Sequence, residues 1–176
     1  MTVQQIGWIT LAYVIELAAV IYFTRATPRR VLGALAGGAV AGALLFGAIL
    51  FGERLGLWHV PMTFTPVYMT VFYVGAAIPC APIYLVTWRI ARRWGESSLA
   101  IVLVLVALIG PPRDYFIASL YPAWITFAPG VLPVLAVAAT YVSFVAVGHA
   151  VMRLVAGPAN ADRLASRSRD AVAPAG

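Results

Sequence analysis

Residues 31–51 read VLGALAGGAVAGALLFGAILF, an apolar run without a single charged side chain. A helix of about 20 apolar residues is long enough to cross a hydrocarbon core about 30 Å thick. The run contains no proline, and charged residues bound it at Arg30 on one side and at Glu53 on the other. We therefore interpret it as a transmembrane helix.

Similar apolar runs recur along the chain and predict an all-α fold, a polytopic transmembrane helix bundle. The five predicted spans are residues 6–23, 31–51, 66–88, 98–121 and 131–155. They make up one predicted transmembrane domain over 1–156. Residues 157–176 have little apolar surface to bury, and we predict that they form a disordered cytoplasmic tail.

The fourth span is interrupted by Pro111 and Pro112. A helix that stopped there would be too short to reach the far surface of a bilayer. We predict that it kinks at the prolines and continues to residue 121, since prolines are tolerated in membrane helices whose neighbours satisfy the freed carbonyl groups. The alternative is a short interfacial helix over 113–121.

The composition agrees with a membrane protein, because 62% of the residues are hydrophobic and only 10% are charged, against roughly 25% charged in a soluble domain. This excludes a water-soluble fold and an extended nucleic-acid-binding surface. The single cysteine, Cys80, excludes an internal disulfide. No metal-ligand spacing and no phosphate-binding glycine loop occurs, so we predict neither a metal nor a cofactor.

The arginines predict the orientation. Three lie in 24–30, three in 89–97 and four from residue 153 onward, which is ten of the twelve basic residues. By the positive-inside rule this places the N-terminus outside and the C-terminus in the cytoplasm. The chain has no lysine, a bias typical of a high-GC bacterium, and we expect the protein in the bacterial inner membrane.

Small residues four apart along 33–43 allow close approach of another helix. Two interpretations stay open at this point. The small-residue face packs inside the bundle, or it contacts a second copy of the chain or a partner membrane subunit.

Ionisable residues within membrane spans are costly and are candidates for a functional site. Glu16 lies in the middle of the first span, and Arg113 with Asp114 lies within the fourth if that span continues. We expect Arg113 to sit between the two carboxyl groups. These three residues are our candidate catalytic groups, for proton transfer to a double bond or carbonyl or for proton coupling in transport. A structural alternative is that Glu16 only holds helices in register.

The residues that we expect to contact a lipophilic small molecule are aromatic. The prolines of the third span, Pro79 and Pro82, free backbone carbonyls that can line a cavity beside tyrosine hydroxyls, or they merely kink the helix. Outer-loop aromatics and charges, including Glu53, Arg54 and His59, are expected at the polar lip of such a pocket. The candidate binding residues are Tyr13, Tyr68, Tyr73, Trp58 and Trp124.

Two segments carry a resemblance to known proteins: Gly52-Glu53-Arg54-Leu55-Gly56-Leu57-Trp58 followed by Pro61, and Asp114-Tyr115-Phe116-Ile117-Ala118-Ser119 through Pro122 and Trp124. With them the chain resembles small bacterial multi-pass membrane proteins. The first segment is also similar to lycopene-cyclase-type membrane domains, which act on isoprenoids. Those domains open the next helix with Pro-x-Glu-Glu, whereas this chain has Thr65-Pro66-Val67-Tyr68 without an acid, so cyclase activity does not carry over.

These observations rank the functions. First comes an accessory or structural membrane subunit, or a protein that binds a lipophile in the bilayer. An acid/base isomerase or cyclase acting on a lipid or isoprenoid is second, and a small-solute or proton-coupled transporter is third.

Overall fold

The computed structural model describes residues 2–62 and 64–158. Its elements, in chain order, are α1 (Val3–Thr24), α2 (Pro28–Arg54), β1 (Trp58–His59), α3 (Pro66–Ala77), α4 (Cys80–Trp94), α5 (Ser98–Leu120), β2 (Thr126–Phe127) and α6 (Val131–Ala156). Of the predicted tail over 157–176, all but the first two residues lie outside the described part of the chain.

The structure confirms the predicted fold class. Five helical segments are long and apolar enough to cross a membrane, with α3 and α4 together forming the third of them, Pro66–Trp94. Each segment begins and ends within a few residues of the predicted bounds, except that the third extends beyond residue 88 to Trp94. The fold is therefore that of a multi-pass membrane protein.

The fourth span continues through its prolines, as predicted. Helix α5 runs from Ser98 to Leu120 with Pro111 and Pro112 inside it. Arg113 and Asp114 consequently lie in the helix, one turn beyond the buried Gly110, and the alternative of a separate interfacial helix over 113–121 does not hold.

The third span, predicted over 66–88, is present as Pro66–Trp94, and its helix is interrupted near the prolines. Helix α3 ends at Ala77 and α4 begins at Cys80, with the break at Ile78 and Pro79. Pro79 has no backbone N–H to donate, and its ring clashes with the carbonyl four residues earlier. Pro82 then falls in the first turn of α4, where backbone N–H groups have no partner within the helix and proline is tolerated.

Helix α2 is the centre of the bundle. It packs most extensively against α6 and also contacts α3 and α4. Its buried residues are almost all small: Gly33, Ala34, Gly37, Gly38, Ala41, Gly42 and Gly52. A Cβ added at Gly37 would lie 2.5 Å from the Gly148 carbonyl oxygen of α6, and one at Gly38 would lie 2.5 Å from the Ala77 carbonyl oxygen of α3.

This packing corrects one of the predicted partner contacts. The small-residue face formed by Gly33, Ala34, Gly37, Gly38, Ala41 and Gly42 is buried inside the chain, between α6 on one side and α3 and α4 on the other. It is therefore not available to a second copy or to a partner subunit. Of the two interpretations left open by the sequence, the structure supports internal packing.

The connection between α2 and α3 pairs with the connection between α5 and α6. Strands β1 and β2 form a short antiparallel ribbon in which Trp58 lies opposite Phe127 and His59 opposite Thr126. The Trp58 indole N–H donates to the Ile49 carbonyl oxygen of α2 at 3.1 Å. The ring lies against Gly52, where any Cβ would overlap it. Glycine at position 52 thus allows the ribbon to dock on the end of α2.

We predict that Gly37→Ala lowers the free energy of unfolding by about 1 to 3 kcal/mol, the usual cost of overpacking. The reason is that the new methyl group has no room in front of the Gly148 carbonyl oxygen. Thermal unfolding of the purified protein in detergent measures the effect.

The control is Gly47→Ala on the same helix, where an added Cβ meets nothing within 4 Å. Its melting temperature should stay level or rise slightly, because alanine favours a helix over glycine. Equal melting temperatures for the two variants would contradict the central position of α2.

Candidate functional site

A cavity of about 480 Å³ lies among the helices and is open to the surface of the bundle. All five spans and the β1–β2 ribbon contribute to its wall, and we call it the central cavity. It is lined by Tyr13, Glu16, Leu45, Ala48, Ile49, Trp58, Gly75, Ala76, Pro79, Cys80, Ile83, Arg113, Asp114, Ile125, Phe127, Val137, Thr140, Tyr141 and Phe144.

The break between α3 and α4 forms one wall of the central cavity. Residues on both sides of it, from Gly75 to Ile83, face the space. The Cys80 thiol donates to the Ala76 carbonyl oxygen at 3.3 Å, which replaces the backbone donor that a regular helix would supply there. The prolines of the third span therefore shape the cavity as well as interrupting the helix.

Three polar side chains of the lining form a connected group, which we call the polar triad: Arg113, Asp114 and Tyr141. Arg113 Nη1 donates to the Tyr141 hydroxyl oxygen at 2.7 Å, and that hydroxyl donates to Asp114 Oδ1 at 2.8 Å. The direct distance from Arg113 Nη1 to Asp114 Oδ1 is 3.6 Å. Tyr141 thus bridges a cation and an anion that are neighbours in sequence.

Gly110 positions this group. It lies one turn before Asp114 on α5, and an added Cβ there would come within 2.5 Å of the Tyr141 ring. Only glycine lets α6 bring the tyrosine this close to α5. The ring of Tyr141 also packs against Phe144, with their centroids 5.0 Å apart, which fixes the direction of the hydroxyl.

Glu16 lines the same cavity from α1, but it is not part of the polar triad. Within residues 2–62 and 64–158 it makes no hydrogen bond and no ion pair. The expected arrangement, with Arg113 between two carboxyl groups, is therefore only half present. The reason is the helix packing: α1 contacts α3 and α4, whereas α5 packs mainly on α6, so Glu16 and Arg113 lie on helices that have different main partners.

The predicted aromatic binding residues divide into two sets. Tyr13 and Trp58 line the central cavity. Tyr68, Tyr73 and Trp124 do not line it. The Tyr68 ring stacks on Phe72 with 6.0 Å between the ring centroids, and the Trp124 ring stacks on Tyr121 with 4.4 Å between the centroids. The Tyr73 hydroxyl donates to the Ala39 carbonyl oxygen at 2.8 Å.

The expected polar lip is largely apolar. The ribbon contributes Trp58 and Phe127 to the cavity, joined by Ile125. Glu53 and His59 lie outside it and pair with each other, with 2.7 Å between Oε1 and Nδ1. Arg54 does not line the central cavity either.

Tyr141 and Thr140 are cavity residues that the sequence did not reveal. Both lie within the apolar run of α6. An uncharged hydroxyl in such a run does not mark a candidate site in the way that the charged Glu16 does. What makes Tyr141 important is its contact with the fourth span, and no local pattern encodes that contact.

His149 forms a separate buried polar contact on α6. Its Nδ1 lies 2.9 Å from the Thr87 hydroxyl of α4, and its Nε2 is buried without a partner among the described residues. No group of three His, Cys, Asp or Glu residues that could hold a metal ion occurs in the described ranges.

Comparison of the chain with protein-family models, with curated proteins and with solved structures found no match. The resemblances described from sequence stay expectations, and the function has to be argued from the geometry of the cavity.

We predict that Tyr141→Phe lowers the free energy of unfolding by about 1 kcal/mol. The substitution removes hydrogen bonds to two charged groups, but Arg113 is half exposed, which reduces their contribution. The control is Tyr22→Phe on the exposed face of α1, which should leave the melting temperature unchanged. A Tyr141→Phe protein as stable as the parent would show that the bridge contributes nothing.

Proposed function

We propose that the protein is an integral membrane protein of the bacterial inner membrane that binds a lipophilic molecule with one polar end in the central cavity. The arginine distribution favours an outside N-terminus and a cytoplasmic C-terminus. The observation that carries the proposal is an apolar cavity with a small set of converging polar groups.

The size of the cavity supports this function. Its volume of about 480 Å³ falls in the range of roughly 300–1,000 Å³ that is usual for small-molecule sites. Most of the lining residues are aliphatic or aromatic, and the charged ones are Glu16, Arg113 and Asp114. Such a lining suits a molecule with a long apolar body better than a polar solute.

The charged groups indicate the kind of polar end. Arg113 has five N–H donors, and the hydrogen bond to Tyr141 occupies only one side of the group. The cavity holds two carboxyl groups against one guanidinium, so a carboxylate ligand would be repelled. A hydroxyl or carbonyl group fits better, with Arg113 donating to its oxygen.

The test uses two probes with the same carbon skeleton, all-trans-retinol and all-trans-retinoic acid. We expect the full-length protein in detergent to bind retinol more tightly than retinoic acid, as measured by quenching of tryptophan fluorescence, since Trp58 lines the cavity.

The decisive variant is Ala48→Phe, which places a ring in the cavity from α2. It should weaken retinol binding by about tenfold or more, equal to a loss of at least about 1.4 kcal/mol. The matched control is Ala43→Phe, on the same helix but exposed and outside the lining. If neither probe binds, or if both variants weaken binding equally, the lipophile-binding function is wrong and an accessory or structural subunit takes its place.

A second candidate, an acid/base enzyme acting on an isoprenoid, is favoured by one specific observation. Two carboxyl groups, Glu16 on α1 and Asp114 on α5, line the same cavity from different helices. In this candidate one of them donates a proton to a double bond of the bound molecule and the other accepts the proton that is released.

We predict for this enzyme that Glu16→Gln abolishes turnover while retinol affinity changes less than about twofold, since a shape-conserving amide leaves the cavity intact. Products are followed by chromatography after incubation with isoprenoid lipids extracted from bacterial membranes. Glu53→Gln, outside the cavity, is the control. Absence of any product with the unmodified protein rejects the enzymatic candidate.

A further inference from the structure

The exposed part of the central cavity lies on α1 and α5. Of the described residues that line the cavity, two are exposed, Glu16 on α1 and Arg113 on α5, and the others are buried or half-buried. Helix α1 packs on α3 and α4, and α5 packs on α6 and α4, whereas α1 and α5 are not among the extensively packed helix pairs of the described chain. The wall of the cavity is therefore incomplete between these two helices.

Both exposed residues lie well inside their helices. At 1.5 Å per residue, Glu16 is about 12 Å from the nearer end of α1 and Arg113 is about 10 Å from the nearer end of α5. Each of these helices is long and apolar enough to cross a membrane. Since the hydrocarbon core is about 30 Å thick, an exposed surface at these positions faces acyl chains and not water.

The β1–β2 ribbon covers the cavity at its own end of the bundle. The Phe127 ring stacks on Tyr115 of α5 with 4.3 Å between the centroids, and it meets the Trp58 ring edge-on at 6.3 Å. The Trp58 indole also bonds to α2, so the ribbon is joined to both helices. Trp58 is buried and Phe127 is half-buried, which places aromatic rings and no exposed lining residue at this end.

Helix α1 makes its buried contacts away from α5. Its buried residues are Ile6 and Leu17. Ile6 lies against Gly75 of α3, and Leu17 belongs to a core cluster whose other buried members come from α2, α4 and α6. Arg113 interacts electrostatically with Tyr13 of α1, so the two helices approach each other through polar side chains at the edge of the cavity and not through a packed apolar seam.

We propose that the central cavity takes up its lipophile directly from the bilayer, through a lateral opening between α1 and α5 that Glu16 and Arg113 frame. This rests on the proposed function and adds the source of the ligand, which is a molecule dissolved in the membrane and not a solute from water. A charged side chain exposed to acyl chains is costly. The polar end of an entering molecule hydrogen-bonds to these two residues and lowers that cost.

The test measures access to the cavity with thiol reagents and needs no ligand. The full-length protein carries Cys80→Ala, which removes its single cysteine, and Ala48→Cys, which places a thiol on the cavity wall. In lipid nanodiscs we expect pyrenyl maleimide, which partitions into the bilayer, to label position 48 at least about tenfold faster than a disulfonated stilbene maleimide, because moving a charged group into hydrocarbon is costly. The reference is His59→Cys in the same background, a position 67% exposed on the ribbon, where the sulfonated reagent should be at least as fast.

The variant that narrows the opening is Ala12→Phe, added to the Ala48→Cys protein. Ala12 is exposed and lies four residues before Glu16, on the same face of α1. We expect it to slow labelling by pyrenyl maleimide about threefold or more, since a phenyl ring occupies space that alanine leaves open. The matched control is Ala18→Phe, an exposed alanine on the opposite face of α1, which should change the rate less than about twofold.

Three results overturn the lateral opening. The sulfonated reagent labels position 48 as fast as the lipid-soluble one, neither reagent labels it, or the two phenylalanine variants slow labelling equally. Failure of retinol to bind a protein that is labelled as expected overturns the proposed function and leaves the opening in place. Each variant has to keep the melting temperature of its parent, and Ala76→Cys on the α3 wall of the cavity replaces Ala48→Cys if that variant does not fold.

Discussion

The structure depends on the close approach of backbones along α2. Between apolar helices in a lipid environment there is little hydrophobic drive for association, so contact has to come from packing, which small residues permit. Gly37 and Gly38 leave no room for a side chain in front of the carbonyl oxygens of Gly148 and Ala77. Helix α2 is thereby held between α6 and the third span, and the remaining helices are arranged around these.

This central packing also explains why a cavity can exist beside it. Where α2 presents glycine and alanine the neighbouring helices touch, and towards its other end, at Leu45, Ala48 and Ile49, they separate around the central cavity. The third span is interrupted at Ile78 and Pro79, and the paired connections that carry β1 and β2 contribute Trp58 and Phe127 to the wall. The central cavity therefore results from helix and strand contacts that lie outside it.

The charged groups on the α5 side of the central cavity are paired with each other. In the central cavity Arg113 is balanced by Asp114 through the hydroxyl of Tyr141, so this site suits a molecule whose polar end is small and neutral.

The sequence by itself determined the number and position of the spans and the choice of Glu16, Arg113 and Asp114 as candidates, because hydropathy and the cost of a charge in lipid are local properties. It favoured the continuation of the fourth span through Pro111 and Pro112, which the structure confirmed. Only the tertiary structure decided which groups meet. It joined Asp114 to Tyr141 without Glu16, it placed Tyr68, Tyr73 and Trp124 outside the lining of the central cavity, and it brought Arg30 and Arg92 to the Trp88 ring. These outcomes depend on which helices pack together, and that choice follows from the fit of surfaces far apart in the chain, which no single stretch of residues contains.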